Sequence, residues 1–244
     1  MLQTAQAQAK RLLNKFFARL GLRIIRLRQS DPQGGAKYFN TGNRSPLEEN
    51  SCELYDRFYR DHEALQRYYN NQRIGFYVSV SRCLQDHDLK LDDKDVLDAG
   101  CGTGHLLAEL HKWSEPRSMA GCDFSEEAMK YSREHFPGVR FFTHDIYRAL
   151  PGIYDVVLCT EVLEHLLFPF VAINNLIQAV PPGGHVVVTV PNGRLDQLNE
   201  HINFWSPESW KVFVERECPG SKVATSLLQA GRYNFALIQR SPAE

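Results

Sequence analysis

The 244-residue chain predicts an α/β fold in which a mostly parallel sheet is covered by helices on both faces. Three observations lead there. From about residue 95 onward, short apolar runs alternate with helical patterns of roughly 10 to 15 residues, the rhythm of strand-helix-strand units. The runs are apolar throughout, as expected of strands buried on both faces. The first of them ends in Gly100, Gly102 and Gly104, directly before a helical pattern, which sets a tight backbone turn at the carboxyl end of a strand.

The elements follow in order. Residues 5–29 read as a basic amphipathic helix, with Leu13, Phe17, Leu20, Ile24 and Leu27 at spacings of three and four, and residues 1–30 are taken as that unit. The helix covers its own domain or a dimer partner; membrane-surface association and an organelle-targeting segment are the competing readings. Residues 31–50, rich in Gly, Pro, Asn and Ser, read as a linker. Residues 51–92 form a helical cap of two or three helices, with Leu54, Phe58, Leu65, Tyr68, Tyr69, Phe76, Val80 and Leu84 at helical spacing. Tyr68, Tyr69, Arg73, Phe76 and Tyr77 either line a pocket or form the core of this cap. Residues 93–244 form the sheet domain. Its strands are "DVLDAG", "SMAGCD", "VRFFTHD", "YDVVLCT" and "HVVVTVP". Its helices are "HLLAELHKW", "SEEAMKYSREHF", "FVAINNLIQAV" and "SPESWKVFVERE", the last with a Ser cap and a Pro in its first turn. "SKVATSLLQ" and "RYNFALIQR", around "AG", close the domain as an antiparallel hairpin.

The net charge of -1 conceals an asymmetry: seven of the 28 basic residues precede Asp31 with no acidic residue among them, leaving 21 basic against 29 acidic in the body. An acidic body disfavours nucleic acid as a partner. The six cysteines form no CxxC pair, so a zinc site or disulfide framework is not expected, and they read as reduced thiols. No apolar run reaches the 18 or so residues that span a bilayer, and no secretory signal is recognised. The expected location is cytoplasmic, or peripheral to a membrane through the N-terminal helix.

The glycine loop suits close approach of a nucleotide-type cofactor. It lacks the third glycine of a dinucleotide loop, where His105 stands, and the Gly-Lys-Ser/Thr of a phosphate loop. Asp98, just before the glycines, would repel a pyrophosphate but suits an ammonium group. Asp123, 19 residues past Gly104, can accept hydrogen bonds from two ribose hydroxyls, and Asp145 suits an adenine amino group. Each acid alone could equally be a helix cap. Cys101, Cys122 and Cys159 fall at the same edge, where buried thiols usually pack as small apolar groups.

Through "VLDAGCGTG", "GCDFSEEAM", "THDIY", "YDVVLCTEVLEHL" and "PPGGHVVVTVPN", in that order, residues 95–191 resemble the class I S-adenosylmethionine-dependent methyltransferases. The resemblance implies a three-layer, Rossmann-like sheet of seven strands with a reversed last strand, and S-adenosylmethionine lying across the carboxyl ends. It further implies that Asp98 and Gly100 hold the methionine end, Asp123 the ribose, and Phe124, Asp145 and Ile146 the adenine, with Cys101, Gly102 and Gly104 also binding the cofactor. Thr160 and Glu161 would flank the sulfonium. The expected reaction is methyl transfer to a hydroxyl oxygen of a small-molecule acceptor such as a sugar, polyketide, phenol or quinone precursor. A non-catalytic cofactor-binding subunit is the alternative of another class.

A hydroxyl acceptor needs a base or a metal near the methyl group. "TEVLEHL" supplies candidates: on a helical turn Glu161, Glu164 and His165 occupy i, i+3 and i+4 and share one face. Glu164, His165 and His201 are therefore the expected catalytic groups. With Glu161 they resemble the metal quartet of the small-RNA 3'-terminal 2'-O-methyltransferases, and a related set occurs in the ubiquinone-pathway O-methyltransferases. That resemblance implies a divalent metal on Glu161, Glu164, His165 and His201, and 2'-O-methylation of an RNA end as a further alternative. The chain departs from the RNA enzymes' distal His-Asp-His, having His201-Ile202-Asn203. Without metal, Glu161 serves the cofactor, Glu164 faces solvent or a nearby base, and His201 hydrogen-bonds a lid.

Overall fold

The computed structural model describes residues 51–242, so the basic helix and the linker expected before them lie outside the described residues. Three cap helices come first: α1 (Cys52–Arg60), α2 (His62–Tyr68) and α3 (Asn71–Asp86). Each has a polar N-cap. Ser51, Asp61 and Asn70 accept backbone N–H groups of the first turns, satisfying donors that a helix start leaves unpaired.

The sheet then alternates with helices: β1 (Asp95–Ala99), α4 (His105–Leu110), β2 (Ser118–Asp123), α5 (Glu126–His135), β3 (Arg140–Thr143), β4 (Val156–Thr160), α6 (Pro169–Gln178), β5 (His185–Pro191), α7 (Pro207–Glu217), β6 (Lys222–Leu228) and β7 (Tyr233–Gln239). The strand order is β3-β2-β1-β4-β5-β7-β6. β1 to β5 pair in parallel, and β7 runs antiparallel to both β5 and β6. This is the expected seven-stranded sheet with a reversed final strand, which slots between β5 and β6.

Side-chain alternation divides the strands between two cores. Val96, Val156, Leu158 and Val187 pack with α3, α4 and α5 on one face. Leu97, Val157, Cys159, Val186 and Val188 pack with α6 and α7 on the other. Most of these side chains are fully buried, and each contributes about 1.5–3 kcal/mol through removal of apolar area from water. α4 ends at Leu110 rather than at Trp113, because the last turn tightens: the N–H groups of Lys112 and Trp113 reach back only three residues. β3 is likewise shorter than expected at both ends. The hairpin turns through Gln229, Ala230 and Gly231, all at positive φ.

Candidate active site

From β1 the chain builds outward through β2 to β3 and then crosses back to place β4 on the other side of β1, so the strand order reverses between β1 and β4 and a crevice opens at their carboxyl ends, the usual ligand position in open α/β sheets. Asp98 lies at that point, in register with Gly121 on β2 and Leu158 on β4. Its side chain is 1% exposed and its Oδ1 has no hydrogen-bond partner among the described residues. Burial, reinforced by the charge of Asp123, pushes its carboxyl up to about 8. A buried carboxylate with an open acceptor is incomplete without a cation or donor.

Asp123 ends β2. Its Oδ2 accepts the N–H of Gly102 and its Oδ1 that of Ser125, both at 3.0 Å. Burial raises it to about 6 against the pull of these backbone donors. Gly102 has φ +51°, and a Cβ there would sit 3.0 Å from the hydroxyl of Tyr59. A side chain at this position would therefore meet both strain and the cap. Cys101 turns its thiol toward the α4 core, so only its backbone faces the loop. Phe124 stands with its ring 5.2 Å from that of Tyr55, and its carbonyl accepts from the Cys52 thiol at 3.4 Å. Asp145 is exposed and its Oδ1 accepts the N–H of Tyr147, the capping role open to any such Asp. Ile146 is buried, with its carbonyl bound to Asn175 Nδ2.

The cap closes over this edge. Ser125 Oγ donates to Asp56 on α1 at 2.5 Å, and Tyr69 hydrogen-bonds Thr103 while stacking on His105 at 3.8 Å. Phe76 is fully buried core, whereas Arg73 is not. The Arg73 guanidinium lies 4.3 Å over the Tyr68 ring and forms no hydrogen bond or ion pair with the described residues. Burial opposes its charge, yet Tyr68, Tyr77, Glu161 and Tyr233 outweigh this and raise its pKa. Tyr77 feels both Arg73 and Asp98. A buried acid at the crevice and a cation on α3 with no ion pair among the described residues thus both act on Tyr77, a combination complementary to a group bearing both ammonium and carboxylate. With the glycine cradle and Asp123, the residues fit S-adenosylmethionine. Sequence reasoning placed Arg73 in an acceptor pocket or a core; that it has no ion pair among the described residues becomes visible only in the fold.

The "TEVLEHL" stretch corrects one expectation. Thr160 ends β4, Glu161 takes a left-handed conformation (φ +57°), and only Leu163–His165 turn helically, as a 3-10 turn. A residue in that region breaks helical periodicity, so Glu161 does not share a helical face with Glu164 and His165. Its N–H donates to Thr189 O at 3.0 Å and its Oε1 accepts the Thr189 hydroxyl at 3.1 Å. Burial raises it to about 7, opposed by Arg73 and then His201.

Glu164, His165 and His201 do meet: one ligand atom of each lies within 4.8 Å of the others, and Glu161 stands outside that group. Glu164 does not face solvent. It is 1% exposed, neither carboxylate oxygen has a hydrogen-bond partner among the described residues, and burial, then the charge of Glu161, holds its pKa well above the ordinary range. His165 Nε2 lies 3.9 Å from Glu164 Oε1. Three ligands of two chemical types around a buried, unsatisfied carboxylate fit a divalent transition metal.

His201 comes from the loop after β5, which is laced to the 3-10 turn. Ile202 N and Asn203 N both donate to Glu164 O, at 2.7 and 3.0 Å, while Asn203 Nδ2 donates to Leu163 O and Leu166 O. Asn203, where the RNA enzymes' pattern has a second histidine, is thus a clamp on the turn. Asp196, which sequence reasoning passed over, lies 2.5 Å from His201 Nδ1.

Fold and site together define a class I S-adenosylmethionine-dependent methyltransferase. The family described as a methyltransferase domain matches residues 69–218, and the chain belongs to that family. The chain is 34% identical to a ubiquinone biosynthesis O-methyltransferase of Pectobacterium carotovorum over 106 residues, covering 41% of this chain and 44% of that protein. Its counterpart in Thiobacillus denitrificans is 37% identical over 109 residues, covering 42% and 46%. The chain therefore spans less than half the length of these curated relatives. Among solved structures the fold is similar to Synechocystis magnesium protoporphyrin IX methyltransferase with bound S-adenosylmethionine, with TM-score 0.59, 19% identity, and coverage of 79% of this chain and 98% of that one. It is also similar to the N-methyltransferase NodS of Bradyrhizobium japonicum, with TM-score 0.63, 15% identity, and coverage of 80% and 100%. The methyltransferase domain of a bacterial CtHen1 gives TM-score 0.57 at 18% identity, covering 69% and 100%. At these identities the structures speak to the fold alone. No helix of the described residues is long and apolar enough to cross a membrane.

Proposed function

We propose that this protein transfers the methyl group of S-adenosylmethionine to a hydroxyl oxygen of a small-molecule acceptor. The observation that carries the acceptor side is the buried Glu164 carboxylate, without a hydrogen-bond partner among the described residues and gathered with His165 and His201 beyond the β4 end of the crevice. S-adenosylmethionine supplies an electrophilic methyl group on a sulfonium. The chain's own work is to orient the two reactants, exclude water and take the acceptor proton. In this reading Asp98 receives the ammonium, Arg73 the carboxylate, Gly100, Gly102 and Gly104 let the backbone approach, and Asp123 holds the ribose. Phe124, Asp145 and Ile146 border the adenine, with the backbone of Cys101 beneath the cofactor. Thr160 and Glu161 border the sulfonium.

Glu164, His165 and His201 receive the acceptor hydroxyl. A divalent metal bound by these three would make that hydroxyl more acidic. Oxygen as acceptor atom is supported by the similarity to ubiquinone biosynthesis O-methyltransferases. A small molecule is supported over RNA by the acidic balance of the body, 21 basic against 29 acidic residues after position 30. The test is transfer of labelled methyl from S-adenosylmethionine into separate pools of phenols, glycans, lipids and RNA. Label in a small-molecule ether supports the proposal. Label in RNA 3' ends favours the 2'-O-methylation alternative, and binding without any transfer favours a cofactor-binding subunit.

A further inference from the structure

We infer that Asp196 is the positioning residue of the acceptor site: it fixes the tautomer of His201 so that Nε2 is the nitrogen left to bind a cation or accept a proton. The inference rests on the role proposed above for Glu164, His165 and His201. Asp196 and His201 are both nearly buried, with side chains 5% and 6% exposed, and Asp196 Oδ2 lies 2.5 Å from His201 Nδ1. An ionised carboxylate only accepts, so the ring nitrogen facing it must carry the proton. The lone pair of a neutral His201 is then on Nε2.

The same loop treats the second imidazole alike. His165 Nδ1 lies 3.2 Å from the carbonyl of Glu200, which also only accepts, so the Nδ1 proton is fixed there. One segment, residues 196–201, therefore sets both histidines through a carboxylate and a carbonyl, the arrangement by which outer groups orient metal-binding imidazoles. Asp196 is itself held. Its N–H donates to Asn192 O at 3.0 Å and its Oδ1 accepts Leu198 N at 3.1 Å. Gly193 lets the loop close, since a Cβ there would come within 2.5 Å of the Phe204 backbone. A loop anchor needs only some hydrogen bond at His201. The combination of two acceptor-only partners on two Nδ1 atoms, beside a carboxylate with no hydrogen-bond partner among the described residues, is what sets a positioning role apart from an anchor.

Asp196→Asn separates the two, because an amide can still bond the ring and anchor the loop but donates to Nδ1 and so moves the proton to Nε2. Full-length wild type and variant are titrated with Co(II), and 15N-histidine spectra are recorded without metal. We expect an unchanged melting temperature, a loss of Co(II) affinity of about 10- to 100-fold, and a switch of His201 from the Nδ1–H to the Nε2–H form. Equal Co(II) affinity in the two proteins, or a His201 tautomer that is Nε2–H in wild type or unchanged in the variant, overturns the inference. If wild type binds no Co(II), the metal reading fails by itself. The spectra then decide on Asp196: a switch sustains its role toward a proton-accepting His201, and no switch ends it. Should the variant unfold, the wild-type spectrum still decides, since an Nε2–H His201 contradicts the assignment.

Discussion

In the proposed cofactor site, Asp98 is a residue that would serve binding at the expense of stability. Its carboxylate is buried with an open oxygen, an arrangement that disfavours its charge until a cation arrives. Replacing it with Asn removes the charge and keeps the shape. We predict that Asp98→Asn weakens S-adenosylmethionine binding by about 1.5–3 kcal/mol, the worth of a charged hydrogen bond, while raising the melting temperature of the ligand-free protein at pH 8. Calorimetric titration and thermal unfolding measure the two effects, and a variant that binds equally well removes Asp98 from the cofactor site. Asp98 could be singled out in the sequence, two residues before Gly100, although a helix cap was the competing reading of it there. Arg73 could not: in "NNQRIGFYV" it looks like any basic residue on a cap helix, and only the fold shows that it lies over the Tyr68 ring with no ion pair among the described residues. Asp196 was hidden for a similar reason, because a loop has no periodicity from which to infer that two of its residues meet.

The 3-10 turn after β4 and the loop after β5 work as one element. Strand boundaries were legible to within about two residues because fully apolar runs leave little choice of register. The turn was not legible, because nothing in "TEVLEHL" announces that Glu161 is left-handed. That backbone choice is fixed by tertiary contact, through the bonds of Glu161 to Thr189 on β5. Asn203 ties turn to loop through two carbonyls at 3.2 and 2.6 Å. We predict that Asn203→Ala lowers stability by about 1–3 kcal/mol, through the two lost hydrogen bonds and a Leu166 carbonyl left without its donor, since Leu163 O keeps the Leu166 N–H, and lowers methyl transfer while leaving S-adenosylmethionine affinity unchanged. Denaturant unfolding and calorimetry measure these. Equal loss of cofactor affinity would mean that the two halves of the crevice are not separable.

At the scale of the whole molecule, the sheet gathers several acids at one edge, and this sets a pH dependence. In the unfolded chain Asp98 titrates near its ordinary value of about 4, but in the ligand-free fold it holds its proton up to about 8. Between these values the native state binds more protons than the unfolded state, so stability falls as pH rises. His105 and His185, which burial holds below their ordinary value, act in the opposite direction only below about pH 6.5. Thermal unfolding from pH 6.5 to 8.5 should therefore show a declining melting temperature without ligand, a flatter decline in Asp98→Asn, and a larger stabilising increment from S-adenosylmethionine at the upper end. An increment that shrinks with pH would place the cofactor's cation elsewhere.

The proposed methyl transfer requires one arrangement, a cofactor whose amino-acid end meets Asp98 and Arg73, whose ribose meets Asp123, and whose sulfur faces Glu164, His165 and His201. A crystal structure with S-adenosylhomocysteine, the demethylated cofactor, measures it directly. The predicted result is density in the β1–β4 crevice with the ammonium within hydrogen-bond distance of Asp98, both ribose hydroxyls on Asp123 and the sulfur opening toward Glu164. Density outside this crevice, or in it with the sulfur turned away from those three residues, would contradict it.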